Sequence, residues 1–161
     1  MVAGRGRRAT IRASRPAAAE RAGREEEALD TEQVDVTTGD RQVVDITADI
    51  TRFCSSRGDG LCHVLAPHAT AGLALMETGS GSEVDLAALL DRLLPRDDRY
   101  RHRHGSPGHG ADHLLPVLLS PTLVLAVSGG RPLLGTWQSV VLVDMNVDNP
   151  NRAIHLSFLP G

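Results

Sequence analysis

A histidine-rich stretch, residues 100–113, is the part of the sequence best equipped for chemistry. It contains four of the seven histidines, namely His102, His104, His109 and His113. Glycine and proline interrupt the middle of the stretch, which predicts a loop for its first half. Imidazoles gathered on a loop can ligate a divalent metal or transfer protons near neutral pH. They can equally be solvated side chains that bind nothing, and composition alone leaves both interpretations open.

The length of the chain and its charge distribution predict one acidic domain after a short extension. A chain of 161 residues, 41% of them hydrophobic, suits a single core. Residues 1–29 carry seven Arg and four Glu with almost no large apolar side chains, which predicts a disordered N-terminal extension before a domain at 30–161. The remainder carries ten Arg against sixteen acidic residues. This acidic balance argues against a nucleic-acid partner, because phosphate contacts need a basic face.

Targeting signals and cysteine usage indicate a cytoplasmic protein. No apolar run approaches the roughly 20 residues that span a membrane, and the first residues lack the apolar centre of a secretory signal. We therefore expect no membrane partner. Cys54 and Cys62 match no zinc-binding spacing, so we expect two buried or half-buried thiols in a reducing compartment.

Apolar periodicity predicts strands on both sides of the histidine loop. Two helices are expected at 48–57, with Thr47 as N-cap, and at 83–94, before Pro95. Residues 112–119 are ambiguous between helix and strand. Strands are predicted at 32–38, 42–46, 61–65, 72–76, 122–127, 133–138, 140–146 and 153–159. Seven or eight strands with two or three helices packed on them predict an α+β fold built on an antiparallel β-sandwich.

Trp137 and Gln138 have two interpretations. The single tryptophan of a chain is commonly a core anchor. Gln138, on the opposite face of the predicted strand, would then point away from the core, where an amide can bind a planar polar ligand. Arg152 could receive a phosphate, although an isolated arginine is more often solvated.

Five separated motifs together resemble the YjbQ-like family, also named secondary thiamine-phosphate synthase enzymes. The resemblance runs from about Glu32 to the C-terminus. It implies a compact β-sandwich that assembles as a homotrimer and acts on a small, phosphorylated substrate. The motifs are His68-Ala-Thr-Ala-Gly-Leu-Ala-Leu-Met-Glu77, Asp85, Tyr100-Arg-His102, Ala111-Asp-His113-Leu and Leu134-Gly-Thr-Trp-Gln138.

The resemblance also implies a site. His68, His102 and His113 would hold a divalent metal, zinc or magnesium, with water in a fourth position. Glu77 or Asp85 would orient or deprotonate that water. The substrate contacts would be Thr70, Trp137, Gln138 and Arg152. Because the family motif Asn-Ala-His-Ala-His-Leu reads His-Gly-Ala-Asp-His-Leu at 109–114, one family histidine is absent. The reserve ligands are His104, His109 and Asp112.

Two classes of function follow from these expectations. The first is an enzyme that joins a pyrimidine pyrophosphate to a thiazole phosphate as a side activity, with its principal reaction open; a metal-dependent hydrolase is one form this class could take. The second is a non-catalytic trimeric module that binds a metal or a small anion. Three histidines with an open position and a nearby carboxylate would favour the enzyme, whereas a closed site with four ligands would favour the module.

Overall fold

The computed structural model describes residues 29–39, 41–97 and 99–161. Apart from Leu29, which is exposed, the predicted extension lies outside the described residues. The elements in chain order are β1 (Asp30–Thr37), β2 (Val43–Asp45), α1 (Thr47–Cys54), β3 (Gly60–Leu65), β4 (Ala71–Met76), α2 (Ser82–Leu93), α3 (His109–Asp112), α4 (Leu115–Leu118), β5 (Thr122–Ser128), β6 (Arg131–Pro132), β7 (Ser139–Asp144) and β8 (Asn151–Pro160).

Two antiparallel sheets form the framework. One has the strand order β1-β8-β3-β5-β6 and the other β2-β7-β4. The sheets share a core, since Val64 and Leu156 of the first pack in one buried cluster with Leu73 and Leu142 of the second. The prediction of an α+β fold with seven or eight antiparallel strands is confirmed.

Strand β7 separates two hydrophobic cores. Val140 and Leu142 face the core between the sheets. Val141 and Val143 face a second core, which residues of α2, α3 and α4 complete on the outer side of the smaller sheet. Because both faces of the strand are covered, its sequence is a continuous apolar run and not an alternating one. The outer face of β7 therefore packs against Ala111, which lies within the histidine-rich stretch.

The two longer helices begin and end close to their predicted bounds. The N-cap of α1 is Ile46 and not Thr47. The Thr47 hydroxyl instead accepts a hydrogen bond from the Val140 N–H at 2.8 Å, which ties the helix to β7. Helix α2 matches the prediction for 83–94 within one residue and ends before Pro95, whose ring cannot continue a helix.

In the second half of the chain, one predicted strand is wrong and one ambiguous segment is resolved. Residues 133–138 do not form a strand; pairing stops at Pro132, and the chain closes a turn in which the Gln138 N–H donates to the Gly135 carbonyl at 2.9 Å. Residues 112–119, which were ambiguous, form the end of α3 and the single turn of α4.

Both cysteines are buried and carry free thiols. Burial raises the pKa of Cys62 to about 12, so this thiol stays protonated at neutral pH. Among the described residues, no helix is long and apolar enough to cross a membrane.

Candidate metal centre

Four histidines of the loop lie together, and we call His102, His104, His109 and His113 the four-histidine cluster. One potential ligand atom from each lies within 4.8 Å of those of the other three. The ring centroids are 4.2 to 6.0 Å apart. Across residues 29–39, 41–97 and 99–161, no other group of three or more His, Cys, Asp or Glu side chains is as compact. The four ligand atoms are therefore close enough together to converge on one metal ion.

Glycine residues allow the chain to turn back on itself within the cluster. Gly105 has φ of +77° and Gly108 has φ of +88°, values that side chains with a Cβ rarely adopt. Gly108 is the N-cap of α3, so His109 starts that helix and His113 directly follows it. Residues four apart lie on the same helical face. This spacing brings Nε2 of His109 to 2.9 Å from Nε2 of His113.

Arg96 links the histidine-rich stretch to the chain just after β7. Its Nη1 donates to Oδ1 of Asp112 and, at 3.1 Å, to the carbonyl of Met145. Its Nη2 donates to the Pro107 carbonyl at 3.3 Å. The Asp112 side chain is fully buried, and burial raises its pKa although the ion pair with Arg96 opposes that shift. Asp112 is thus a structural partner of Arg96 and stands outside the group of potential ligands.

A carboxylate contacts the cluster from the turn between β7 and β8. Oδ2 of Asp148 lies 3.1 Å from Nδ1 of His109 and accepts the Ser106 N–H at 3.2 Å. The hydrogen bond from the Ser106 N–H, with a further contribution from His109, lowers the pKa of Asp148. Asp148 is therefore an ionised acceptor at neutral pH.

His113 favours its neutral form. Burial lowers the pKa of His113, and the neighbouring His102, His109 and His104 lower it further, because charging one ring beside the others is repulsive. A neutral imidazole keeps a lone pair on one ring nitrogen. At neutral pH His113 can therefore offer a nitrogen lone pair to a metal.

A cavity of about 250 Å³ opens beside the cluster. Its lining includes His102, His104 and His109 together with Tyr100 and Arg103. The Arg103 Nε donates to the Tyr100 carbonyl at 3.0 Å, which holds this cation at the edge of the cavity. The volume is below the roughly 300–1,000 Å³ of sites for drug-sized ligands, so it suits a small polar group such as a phosphate.

The predicted metal ligands are only partly brought together. His102 and His113 belong to the cluster, and the reserve candidates His104 and His109 join them. His68 does not belong to that group; its Nε2 lies 3.0 Å from both the backbone nitrogen and the carbonyl oxygen of Ala153 in β8. Within one chain, the structure therefore replaces His68 of the expected triad by His104 and His109. The i, i+4 spacing of His109 and His113 was a signal available in the sequence.

The predicted catalytic carboxylates lie apart from the group of ligands. Glu77 follows β4 and Asp85 lies in the first turn of α2, and both are exposed. Neither belongs to the compact group of potential ligands. The carboxylate that does contact a histidine is Asp148, which the sequence did not indicate because it is 39 residues from His109.

Two of the predicted substrate contacts are buried in an ion-pair network. Arg152 is 4% exposed and binds Asp144 through Nε at 2.6 Å and Nη2 at 2.9 Å. Nη2 also donates to the Thr70 hydroxyl at 3.2 Å. The expectation that Arg152 meets a substrate phosphate is not met within the chain, because its guanidinium is turned inward onto Asp144.

The other two predicted contacts lie in the exposed turn after β6. The Gln138 Oε1 accepts the Gly135 N–H at 2.8 Å, so the amide oxygen closes the turn. Trp137 is 73% exposed, which excludes the core-anchor interpretation. A large aromatic side chain on the surface is typical of a contact with another molecule.

The fold and the site define an α+β protein of two antiparallel sheets that carries a histidine cluster on a loop. Residues 32–161 match the family described as UPF0047 protein YjbQ-like. A UPF0047 protein of Mycobacterium tuberculosis is 60% identical over 133 residues, which cover 83% of this chain and all of that relative. A UPF0047 protein of Archaeoglobus fulgidus is 32% identical over 113 residues, covering 70% of this chain and 88% of the relative. This chain therefore belongs to the YjbQ-like UPF0047 family.

Solved structures share the fold. A hypothetical protein from Aeropyrum pernix is similar with a TM-score of 0.74 at 29% identity, covering 82% of this chain and 99% of its own. A conserved hypothetical protein from Thermus thermophilus has a TM-score of 0.69 at 31% identity, with 80% and 99% covered.

Proposed function

We propose that this protein is a metal-dependent enzyme whose four-histidine cluster binds one divalent ion. The observation that carries the proposal is the approach of four imidazole ligand atoms to within 4.8 Å of one another. Ligands on a tetrahedral zinc with bonds of about 2.1 Å lie about 3.4 Å apart. Small ring movements would bring four such nitrogens to that spacing.

The donor set favours zinc over magnesium. Imidazole nitrogen suits zinc, copper and nickel, whereas magnesium prefers carboxylate, carbonyl and water oxygens. All four donors of the cluster are imidazoles, and Asp112 is engaged by Arg96. Of the two metals that the resemblance implies, zinc is therefore our choice.

The chemistry proposed for the site is the displacement of pyrophosphate, as the secondary thiamine-phosphate synthase activity of the family requires. A divalent metal would supply charge neutralisation for the departing pyrophosphate. Arg103 lines the cavity of about 250 Å³ and would bind a phosphate oxygen there. His102 and His104 are the exposed members of the cluster and line the side that substrate would approach.

One observation favours the second candidate, a non-catalytic metal-binding module. Four nitrogen ligands can complete a tetrahedral site and leave no open position. Counting the nitrogen and oxygen neighbours of bound zinc by X-ray absorption separates the two functions. A water oxygen beside the histidine nitrogens is expected for the enzyme, whereas four nitrogens with no oxygen are expected for the module.

The metal content of the purified full-length chain is the first test. We expect about one zinc per chain, retained after dialysis and lost in His109→Ala and His113→Ala. His155→Ala is the matched control, because His155 is an exposed histidine of β8 outside the cluster. A wild-type chain that binds no zinc, or a control that loses it equally, contradicts the metal site.

The activity test uses the zinc-loaded chain with a pyrimidine pyrophosphate and a thiazole phosphate. We expect thiamine phosphate and pyrophosphate to appear in equal amounts, and Arg103→Ala to lower the rate. Turnover that is unchanged by complete removal of the metal would contradict a metal-dependent reaction.

A further inference from the structure

Asp148 reaches the four-histidine cluster from a distant part of the chain. It lies in the turn between β7 and β8, and its Oδ2 is 3.1 Å from Nδ1 of His109. The same oxygen accepts the Ser106 N–H at 3.2 Å, so it touches the histidine loop at two points. No other carboxylate in the part of the chain that the structure describes forms a hydrogen bond to a member of the cluster.

The chemistry of this contact determines which nitrogen of His109 can bind a metal. An ionised carboxylate only accepts hydrogen bonds, so Nδ1 of His109 carries the ring hydrogen. The lone pair of the neutral ring is then on Nε2, which faces Nε2 of His113 at 2.9 Å. A carboxylate on the outer nitrogen of a ligating histidine also raises the basicity of the ligating one. Asp148 thus keeps the inward nitrogen of His109 ready for a metal.

A chain of hydrogen bonds fixes Asp148 to the buried part of the protein. Its N–H donates to Oδ1 of Asn146 at 2.7 Å, and the Asn146 N–H donates to Oδ1 of Asp144 at 3.1 Å. Asp144 is the buried partner of Arg152. The backbone of Asp148 is therefore linked through Asn146 to the buried ion pair at the end of β7.

Gly105 leaves the room that this contact needs. A Cβ on Gly105 would lie 2.9 Å from both Oδ2 of Asp148 and Nδ1 of His109. A side chain at this position would push the two partners apart. Glycine at position 105 therefore allows the histidine loop to approach Asp148 closely.

We propose that Asp148 is a positioning residue that sets the tautomer of His109 and thereby the affinity of the cluster for zinc. This inference rests on the proposed metal site. Loss of such an outer-shell partner costs roughly 10–100-fold in metal affinity. We expect that range for Asp148→Ala and a smaller loss for Asp148→Asn, since the amide oxygen still accepts the Nδ1 hydrogen without a charge.

The experiment compares zinc affinity in full-length variants by titration against a chelator. Asp97→Asn is the matched control, because Asp97 lines the same cavity but its carboxylate is engaged by Arg99. It changes the local charge equally without touching a histidine and should keep wild-type affinity. The second readout is the ring tautomer of His109 in the metal-free chain, from long-range proton–nitrogen NMR spectra. We expect hydrogen on Nδ1 in the wild type and on Nε2, or on a mixture of the two, in Asp148→Ala.

The outcomes separate this inference from the metal site itself. A wild-type chain that binds no zinc overturns the proposed function. Zinc binding that is equal in wild type and Asp148→Ala, or a wild-type His109 with its hydrogen on Nε2, overturns the role of Asp148 and leaves the metal site standing. If Asp148→Ala does not fold, Asp148→Asn provides the test. A zinc affinity of Asp148→Asn that equals that of the wild type and of Asp97→Asn overturns the proposal.

Discussion

The buried ion pair between Arg152 and Asp144 allows a stringent test of the fold that supports the site. The Arg152 and Asp144 side chains are 4% and 0% exposed, and two hydrogen bonds of 2.6 and 2.9 Å join them. Arg152→Ala removes the cation and leaves the Asp144 carboxylate without its main partner.

The expected cost follows from the groups that remain around Asp144. Breaking a buried pair by removing one partner costs about 3–5 kcal/mol. The Thr38 hydroxyl at 3.2 Å and the Asn146 N–H at 3.1 Å still donate to the carboxylate, which argues for the lower end of that range. At about 2–4 °C per kcal/mol, a loss of about 3 kcal/mol lowers the thermal midpoint by roughly 6–12 °C.

The assay is thermal unfolding followed by circular dichroism, with a surface ion pair as the control. Arg52 and Glu32 lie 2.8 Å apart, but their side chains are 56% and 34% exposed. A pair of this kind contributes about 0–1 kcal/mol, so Arg52→Ala should shift the midpoint by at most about 4 °C. Equal shifts in the two variants would refute the argument.

A double variant tests whether the uncompensated charge is the cause. Arg152→Met with Asp144→Leu removes both charges and fills the space with apolar side chains, a replacement that is often neutral or stabilising. We expect it to recover most of the midpoint lost in Arg152→Ala. A double variant as unstable as the single one would assign the loss to packing and hydrogen bonds to Thr70, not to the buried charge.

Three further predictions concern pH, the N-terminal residues and assembly. The pKa of His113 is lowered in the folded chain, chiefly by burial, so the unfolded chain binds more protons; the free energy of unfolding of the metal-free protein should fall as pH drops below about 6.5. Urea titrations between pH 8 and pH 5 measure this, and a flat profile contradicts it. Deleting residues 1–29, which have almost no large apolar side chains, should change the thermal midpoint by no more than about 2–4 °C; a larger drop means that they pack on the domain. Light scattering should give three times the mass of one chain, as the family resemblance implies, and a monomer mass at micromolar concentration refutes the homotrimer.

Strand β7 could be predicted from the sequence because a strand covered on both faces is apolar along its length, whichever elements cover it. The apolar run within 140–146 forms β7 and separates the two cores, as a strand covered on both sides requires. The error at 133–138 has the opposite cause. These residues have strand-like composition, but bonding to β5 ends at the Leu133 N–H, which donates to the Ala126 carbonyl at 2.8 Å, and Gly135 and Gln138 then close a local turn.

The candidate site was predictable only where its geometry is local. The loop indicated all four histidines, the family resemblance singled out His102 and His113, and the i, i+4 relation of His109 to His113 was readable from helical geometry. The contact of Asp148 with His109 depends on how the β7–β8 turn packs against the loop. The inward rotation of Arg152 likewise depends on a buried partner, and no periodicity in the sequence encodes either contact.

All four potential ligands lie within the twelve residues from His102 to His113, and this has a kinetic consequence. Sites assembled from distant strands must wait for the sheets to fold before an ion can enter. Here the binding of an ion requires the closure of only a loop of about ten residues, and such a loop closes on the order of 10–100 ns. We therefore expect zinc to exchange through local opening of the loop while both sheets stay folded, so that exchange is much faster than global unfolding.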